Sequence, residues 1–120
     1  MHGFSLLELM ITCAVITLLA SIALPSYRQH VVKTHRVQAQ TCMLDQAGVM
    51  ERHFAQTLSY AWAPPSNCVA TLEAYTLRYA STAGSYEVTA EPIAGKGDAR
   101  CGPMTLDQTG ATTAAEAGCW

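Results

Sequence analysis

Residues 4–24 contain no glycine, no proline and a single charge, Glu8. As a helix, these 21 residues span about 30 Å, the thickness of a bilayer's hydrocarbon core. A helix that is apolar all round needs a low-polarity environment on every side. The expectation is therefore a segment that spans a membrane. Glu8 then needs a cation, because a carboxylate held in hydrocarbon is costly and marks a functional position.

A secretory signal would show a basic start, a shorter apolar run and small residues at a cleavage site behind it. Ala20-Ser21-Ile22-Ala23 imitates such a site only weakly, the run is too long, and nothing basic precedes it. A cut ahead of the run, after Gly3, would place a new α-amino group at Phe4, and that amine is the expected counter-charge of Glu8.

The stretch Gly3-Phe4-Ser5-Leu6-Leu7-Glu8-Leu9-Met10-Ile11 resembles the class III signal of type IV prepilins and related pseudopilins. The resemblance implies cleavage after Gly3 by a prepilin peptidase, methylation of Phe4, and use of the Glu8 carboxylate in assembly. It also implies a helix-bending role for Pro25. Methylation keeps the amine positive, so Phe4 of one subunit would meet Glu8 of its neighbour in an apolar filament core. The leader here is Met1-His2-Gly3, without the Lys or Arg such leaders carry, which places the expected start codon upstream. Arg28, Lys33 and Arg36 follow the apolar run, and the positive-inside rule alone would leave the bulk of the chain in the cytoplasm.

The cysteines argue the other way. Of five, Cys13 lies in the apolar run and reads as a small hydrophobe. Cys42, Cys68, Cys101 and Cys119 form an even set in a small domain, the pattern of a disulfide framework in an oxidising compartment. Four cysteines allow three pairings, and spacing does not choose. The ending Cys101-Gly102-Pro103 to Gly118-Cys119-Trp120 is similar to the disulfide-closed region of minor pilins of the PilE type, which implies Cys101 with Cys119 and leaves Cys42 with Cys68. Each bond should contribute about 3 kcal/mol.

Beyond Pro25 the pattern turns amphipathic. Val32, Ala39, Cys42, Met43, Gln46, Ala47, Met50 and Phe54 recur mainly at spacings of three and four, the buried stripe of a helix. Arg36, Gln40, Asp45, Glu51 and Arg52 make its expected solvated face. One helix over residues 4–56 follows, bent at Pro25, which loses a hydrogen bond and clashes with the preceding turn. Residues 57–74, with Pro64-Pro65-Ser66-Asn67, predict a surface loop. Strands are expected at 75–80, 85–92, 104–107 and 111–113, joined by turns at Thr82-Ala83-Gly84 and Gln108-Thr109-Gly110. The expected fold is α+β, a pilin fold in which a long N-terminal helix packs on a small antiparallel sheet with a disulfide-closed end. The expected divisions are a leader at 1–3, a transmembrane or filament-core helix at 4–27 and a periplasmic globular domain at 28–120.

Catalysis finds no support. His30 and His35 are five apart, off the helical spacing for shared metal ligation, and His53 is remote. Cys42 and His53 lack an oxyanion element, and no phosphate loop surrounds Gly95-Lys96-Gly97. No cofactor or metal is implied. The net charge is −2, and Lys96 with Arg100 is too little for a phosphate-binding stripe, so nucleic acid stands as an unsupported partner. Tyr75, Tyr79 and Tyr86 belong to the sheet's packing, while Trp62 and Trp120 are candidates for contact with neighbouring subunits. The reading is a minor pilin of a type IV pilus that primes or joins the filament. Its partners would be major and minor pilins, prepilin peptidase, the inner-membrane assembly platform and, before assembly, membrane lipid. A pseudopilin of a type II secretion system is the alternative, and a periplasmic binding module on an uncleaved anchor is a reading from another class.

Overall fold

The structure is a computed structural model describing residues 2–120. It holds helix α1 (Leu6–Thr57), a 3-10 turn (Asn67–Thr71) and strands β1 (Tyr75–Ser81), β2 (Tyr86–Pro92), β3 (Met104–Asp107) and β4 (Thr112–Thr113). The chain divides into two compact units, one ending at Val31 and one running Val32–Trp120, with α1 contributing to both.

The first unit is the apolar part of α1, and its large side chains from Phe4 to Tyr27 are exposed. The helix runs on through Pro25 without a break in its assignment. Three hydroxyls in this stretch turn inward on their own backbone: Thr12 Oγ1 donates to the Glu8 carbonyl, Thr17 Oγ1 to the Cys13 carbonyl and Ser21 Oγ to the Leu18 carbonyl, at 2.7–2.8 Å. Bonded in this way, they show little polarity to a low-dielectric surrounding.

In the second unit the four strands pair antiparallel in sequence order, β1-β2-β3-β4. Alternation sends Tyr75 and Leu77, then Tyr86, Val88 and Ala90, then Met104 and Leu106 to one face. That face packs on the α1 stripe Ala39, Cys42, Met43 and Met50, forming the core of the unit. The register brings Leu77 opposite Ala90 and Val88 opposite Leu106, so small and large side chains interlock. Gly97 is required where the β2–β3 connection passes the sheet: a Cβ there would sit 2.5 Å from the Pro92 Cβ and 2.8 Å from the Ala74 carbonyl oxygen.

The disulfides are Cys42–Cys68, which ties α1 to the 3-10 turn, and Cys101–Cys119, which closes the C-terminal region. Fully buried Gln46 secures the intervening loop, donating to the Pro64 carbonyl at 3.1 Å and accepting from the Ser66 amide at 2.6 Å. Tyr75 and Tyr86 are buried and Tyr79 half-buried, as their strand positions predict.

Two positions expected on the solvated face of α1 are not there. Arg36 is buried, its Nη1 2.7 Å from Asp98 Oδ2. Gln40 is half-buried and donates to the Cys119 carbonyl. The cause is tertiary: residues 98–119 return as a disulfide-closed strap over that flank of the helix. Asp45, Glu51 and Arg52 remain exposed as expected. Asp98 is the hub of the strap, since its amide reaches the Tyr75 hydroxyl at 3.0 Å and its Oδ1 accepts from the Arg100 amide at 3.2 Å.

Candidate functional site

Two features of the molecule lie outside its own core and are exposed. The first is the exposed apolar surface of α1 with its lone carboxylate. The most apolar 18-residue window of the helix has a mean hydropathy of 2.3 and is wholly unburied, so by length and composition it can cross a membrane. At its start, Ser5 N–H donates to Glu8 Oε2 and Glu8 N–H donates to Ser5 Oγ, each at 3.2 Å. No basic side chain pairs with Glu8 among the described residues. Gly3 and Phe4, the expected processing residues, are exposed just ahead of the helix, Phe4 at 91%.

The second feature is the connection after α1. Leu58 takes φ +58°, the left-handed conformation that usually ends a helix with glycine, and its side chain is exposed. Four residues on, Trp62 also sits at positive φ, +64°, and is 95% exposed. Positive φ is uncommon for bulky residues and requires surroundings that enforce it. Those surroundings are present. Tyr60 is buried, stacked on Phe54 at 4.5 Å and edge-on to Tyr86 at 4.9 Å. Its amide bonds the Ala83 carbonyl at 3.1 Å, and its hydroxyl shares the Glu51 carboxylate with the Tyr86 hydroxyl, at 3.2 Å in each case. His53 Nε2 lies 3.0 Å from the Ala61 carbonyl, and Tyr79 donates to the Ala63 carbonyl at 3.2 Å. Burial beside the Glu51 charge pushes the Tyr86 hydroxyl up to about 12, so it remains a donor. A loop held at this many points presents its tryptophan to solvent over a hollow of about 340 Å³, which Tyr79 and Ser81 help to line. Sequence marks Trp62 as a loop aromatic and a candidate for contact with neighbouring subunits; its exposure and backbone conformation are tertiary results.

Trp120 differs, because its indole N–H donates to the Thr113 carbonyl at 2.9 Å and it is only 39% exposed. The outer face of the sheet carries Glu87, Glu91 and Asp107 against a single cation, Arg78, which pairs loosely with Glu91 at 3.8 Å. The Thr109 hydroxyl and amide hold Asp107 below the usual carboxylate range, so it stays ionised. This face repels phosphate. No cluster of three or more His, Cys, Asp or Glu suited to a metal occurs among the described residues.

The family model for the type IV minor pilin ComP, DNA uptake sequence receptor, matches residues 25–105, and that for the prokaryotic N-terminal methylation motif matches residues 1–24. The fimbrial protein EcpC of Eikenella corrodens is 38% identical over 53 residues, 44% of this chain; the match spans only 35% of that relative's length. Among solved structures, a type IV pilin from Shewanella oneidensis superposes with a TM-score of 0.60 at 25% identity, covering 73% of this chain and 96% of that one. The non-core minor pilin PilV of Neisseria meningitidis superposes at 0.54 and 18% identity, covering 72% and 92%, a likeness of fold.

Proposed function

The chain belongs to the family of type IV minor pilins described by the ComP model, and on that premise we propose how it is processed, anchored and assembled. As a minor pilin it is a structural subunit, and no observation favours a type II secretion pseudopilin. Prepilin peptidase cuts after Gly3, and Phe4 becomes the methylated N-terminus. Residues 4–27 hold the subunit in the bacterial inner membrane, in contact with lipid, with residues 28–120 in the periplasm. The assembly platform then extracts it into a pilus, where Glu8 meets the Phe4 ammonium of an adjacent pilin. The observation that carries this reading is the exposed apolar part of α1, whose one carboxylate, Glu8, pairs with no basic side chain among the described residues.

Two findings support the periplasmic orientation. The disulfides need an oxidising compartment. Arg36, counted with Arg28 and Lys33 in favour of a cytoplasmic domain, is neutralised within the fold by Asp98, which removes one cation from that count. Mass spectrometry of the mature protein from a piliated cell is expected to show a chain that begins at Phe4 and carries one added methyl group. A start at Met1, or beyond residue 20, would overturn the processing scheme.

A second reading, capture of DNA by the assembled subunit, has the family description and Trp62 behind it. A tryptophan fixed in the open suits stacking against a base, worth about 1–3 kcal/mol per base. The acidic outer sheet face sends any DNA to the loop end of the domain, where few cations are available to release counterions. Fluorescence anisotropy with the mature protein in detergent is expected to show binding of a single-stranded oligonucleotide with shallow salt dependence, weakened about tenfold or more by Trp62→Ala. Unchanged DNA binding with reduced filament incorporation would assign Trp62 to subunit packing instead.

A further inference from the structure

We propose that Ser5 is a positioning residue for assembly, holding Glu8 in a reciprocal cap at the helix start so that one carboxylate oxygen is fixed within the subunit and the other is left for a neighbour's cation. The inference rests on the assembly role proposed for Glu8 and adds the residue that orients it. Helix α1 begins at Leu6, which makes Ser5 the capping residue and Glu8 the third residue inside. The Ser5 amide donates to Glu8 Oε2 while the Glu8 amide donates to Ser5 Oγ, the two halves of a capping box. Phe4 and Leu9 occupy the flanking positions where such boxes carry an apolar pair.

In a soluble helix this arrangement competes with water for the orphan amides of the first turn. In hydrocarbon there is no such competitor, and every N–H must be satisfied inside the chain. The box therefore removes two bare donors and sets a carboxylate against the positive end of the helix dipole. Oε1 makes no hydrogen bond among the described residues. A glutamate already fixed through one oxygen has less rotamer freedom to lose when an ammonium arrives, which lowers the cost of pairing.

Cleavage after Gly3 leaves this box intact. Phe4 becomes the terminal residue, so the Ser5 N–H is still an ordinary peptide amide. A cut one residue later would turn the Ser5 amide into the charged terminus and dismantle the cap.

The test uses the full-length chain expressed in a piliated cell, with filament incorporation scored per processed subunit. Ser5→Ala is expected to lower that ratio about fivefold, the size of a lost cap residue, and Ser5→Thr to restore it. NMR of the mature protein in bicelles provides a readout that does not depend on assembly. The Ser5 amide is expected to exchange slowly in the wild type and in Glu8→Gln, whose side-chain carbonyl still accepts, and quickly in Glu8→Ala. Wild-type incorporation of Ser5→Ala, no restoration by Ser5→Thr, or a Ser5 amide indifferent to Glu8→Ala would each overturn the proposal. Normal incorporation of Glu8→Gln would instead overturn the charge-pair reading, since that variant keeps the cap and loses only the charge.

Discussion

Glu8→Ala is expected to leave cleavage after Gly3 and membrane insertion in place while reducing incorporation into filaments by at least two orders of magnitude. Removing one member of a buried ion pair strands the other, at a cost of about 3–5 kcal/mol, which corresponds to a factor of roughly 150 to several thousand in an equilibrium. The apolar surface of α1 holds no other carboxylate to take the place of Glu8 opposite a neighbour's ammonium. In the membrane before assembly the same substitution removes a charge from hydrocarbon, so insertion should not suffer. The measurement is the ratio of processed subunit in sheared pili to that in the membrane fraction. A ratio equal to wild type would show that the carboxylate plays no part in joining subunits.

Asp98→Ala should cause a large loss of stability in the globular unit. It leaves the Arg36 guanidinium buried without its carboxylate, and Arg36 Nε is already without a hydrogen-bond partner. The expected cost is again about 3–5 kcal/mol, a large share of the 5–15 kcal/mol that holds typical domains together. It should lower the midpoint of thermal unfolding by about 12 °C or more, because 1 kcal/mol is worth roughly 4–8 °C in a domain of this size. Arg36→Met should be far milder, since an apolar side chain of similar length fills the site without a charge. The double variant Arg36→Met with Asp98→Ala should recover most of what Asp98→Ala loses. Thermal unfolding of the mature protein, with its disulfides intact, reads all three. Equal losses for Asp98→Ala and the double variant would mean that the hydrogen bond from the Arg100 amide to Asp98 Oδ1 matters more than the ion pair.

Much of the fold is legible along the chain because its signals are local. The helix expected over 4–56 is observed as Leu6–Thr57, and the strands lie within a residue or so of their expected limits. Spacings of three and four mark Ala39, Met43, Gln46 and Met50 as buried, because neighbouring positions on a helix settle which side faces the sheet. The Ser5-x-x-Glu8 spacing is also visible in the sequence, but its capping role is masked when the same residues are read only as part of a cleavage signal. A serine three residues before a glutamate at the head of an apolar run is the pattern that exposes it.

Arg36 and Gln40 could not be placed in this way. Helical periodicity assigns a residue to a side of the helix, and that side is solvated unless something distant in sequence returns to cover it. Here the cover is the strap from Asp98 to Cys119. Leu58 and Trp62 fail for a related reason, since a left-handed backbone at a bulky residue is imposed by the anchors of Tyr60, Ala61 and Ala63 rather than preferred locally. The long apolar helix, its carboxylate and the positions of the strands along the chain follow from composition and period alone, because an apolar run and a pleated face are read from each residue and its immediate neighbours. Which charges lie inside, and which tryptophan stands in the open, were settled only when segments some sixty residues apart came together, since burial is a property of what packs around a side chain and not of the side chain itself.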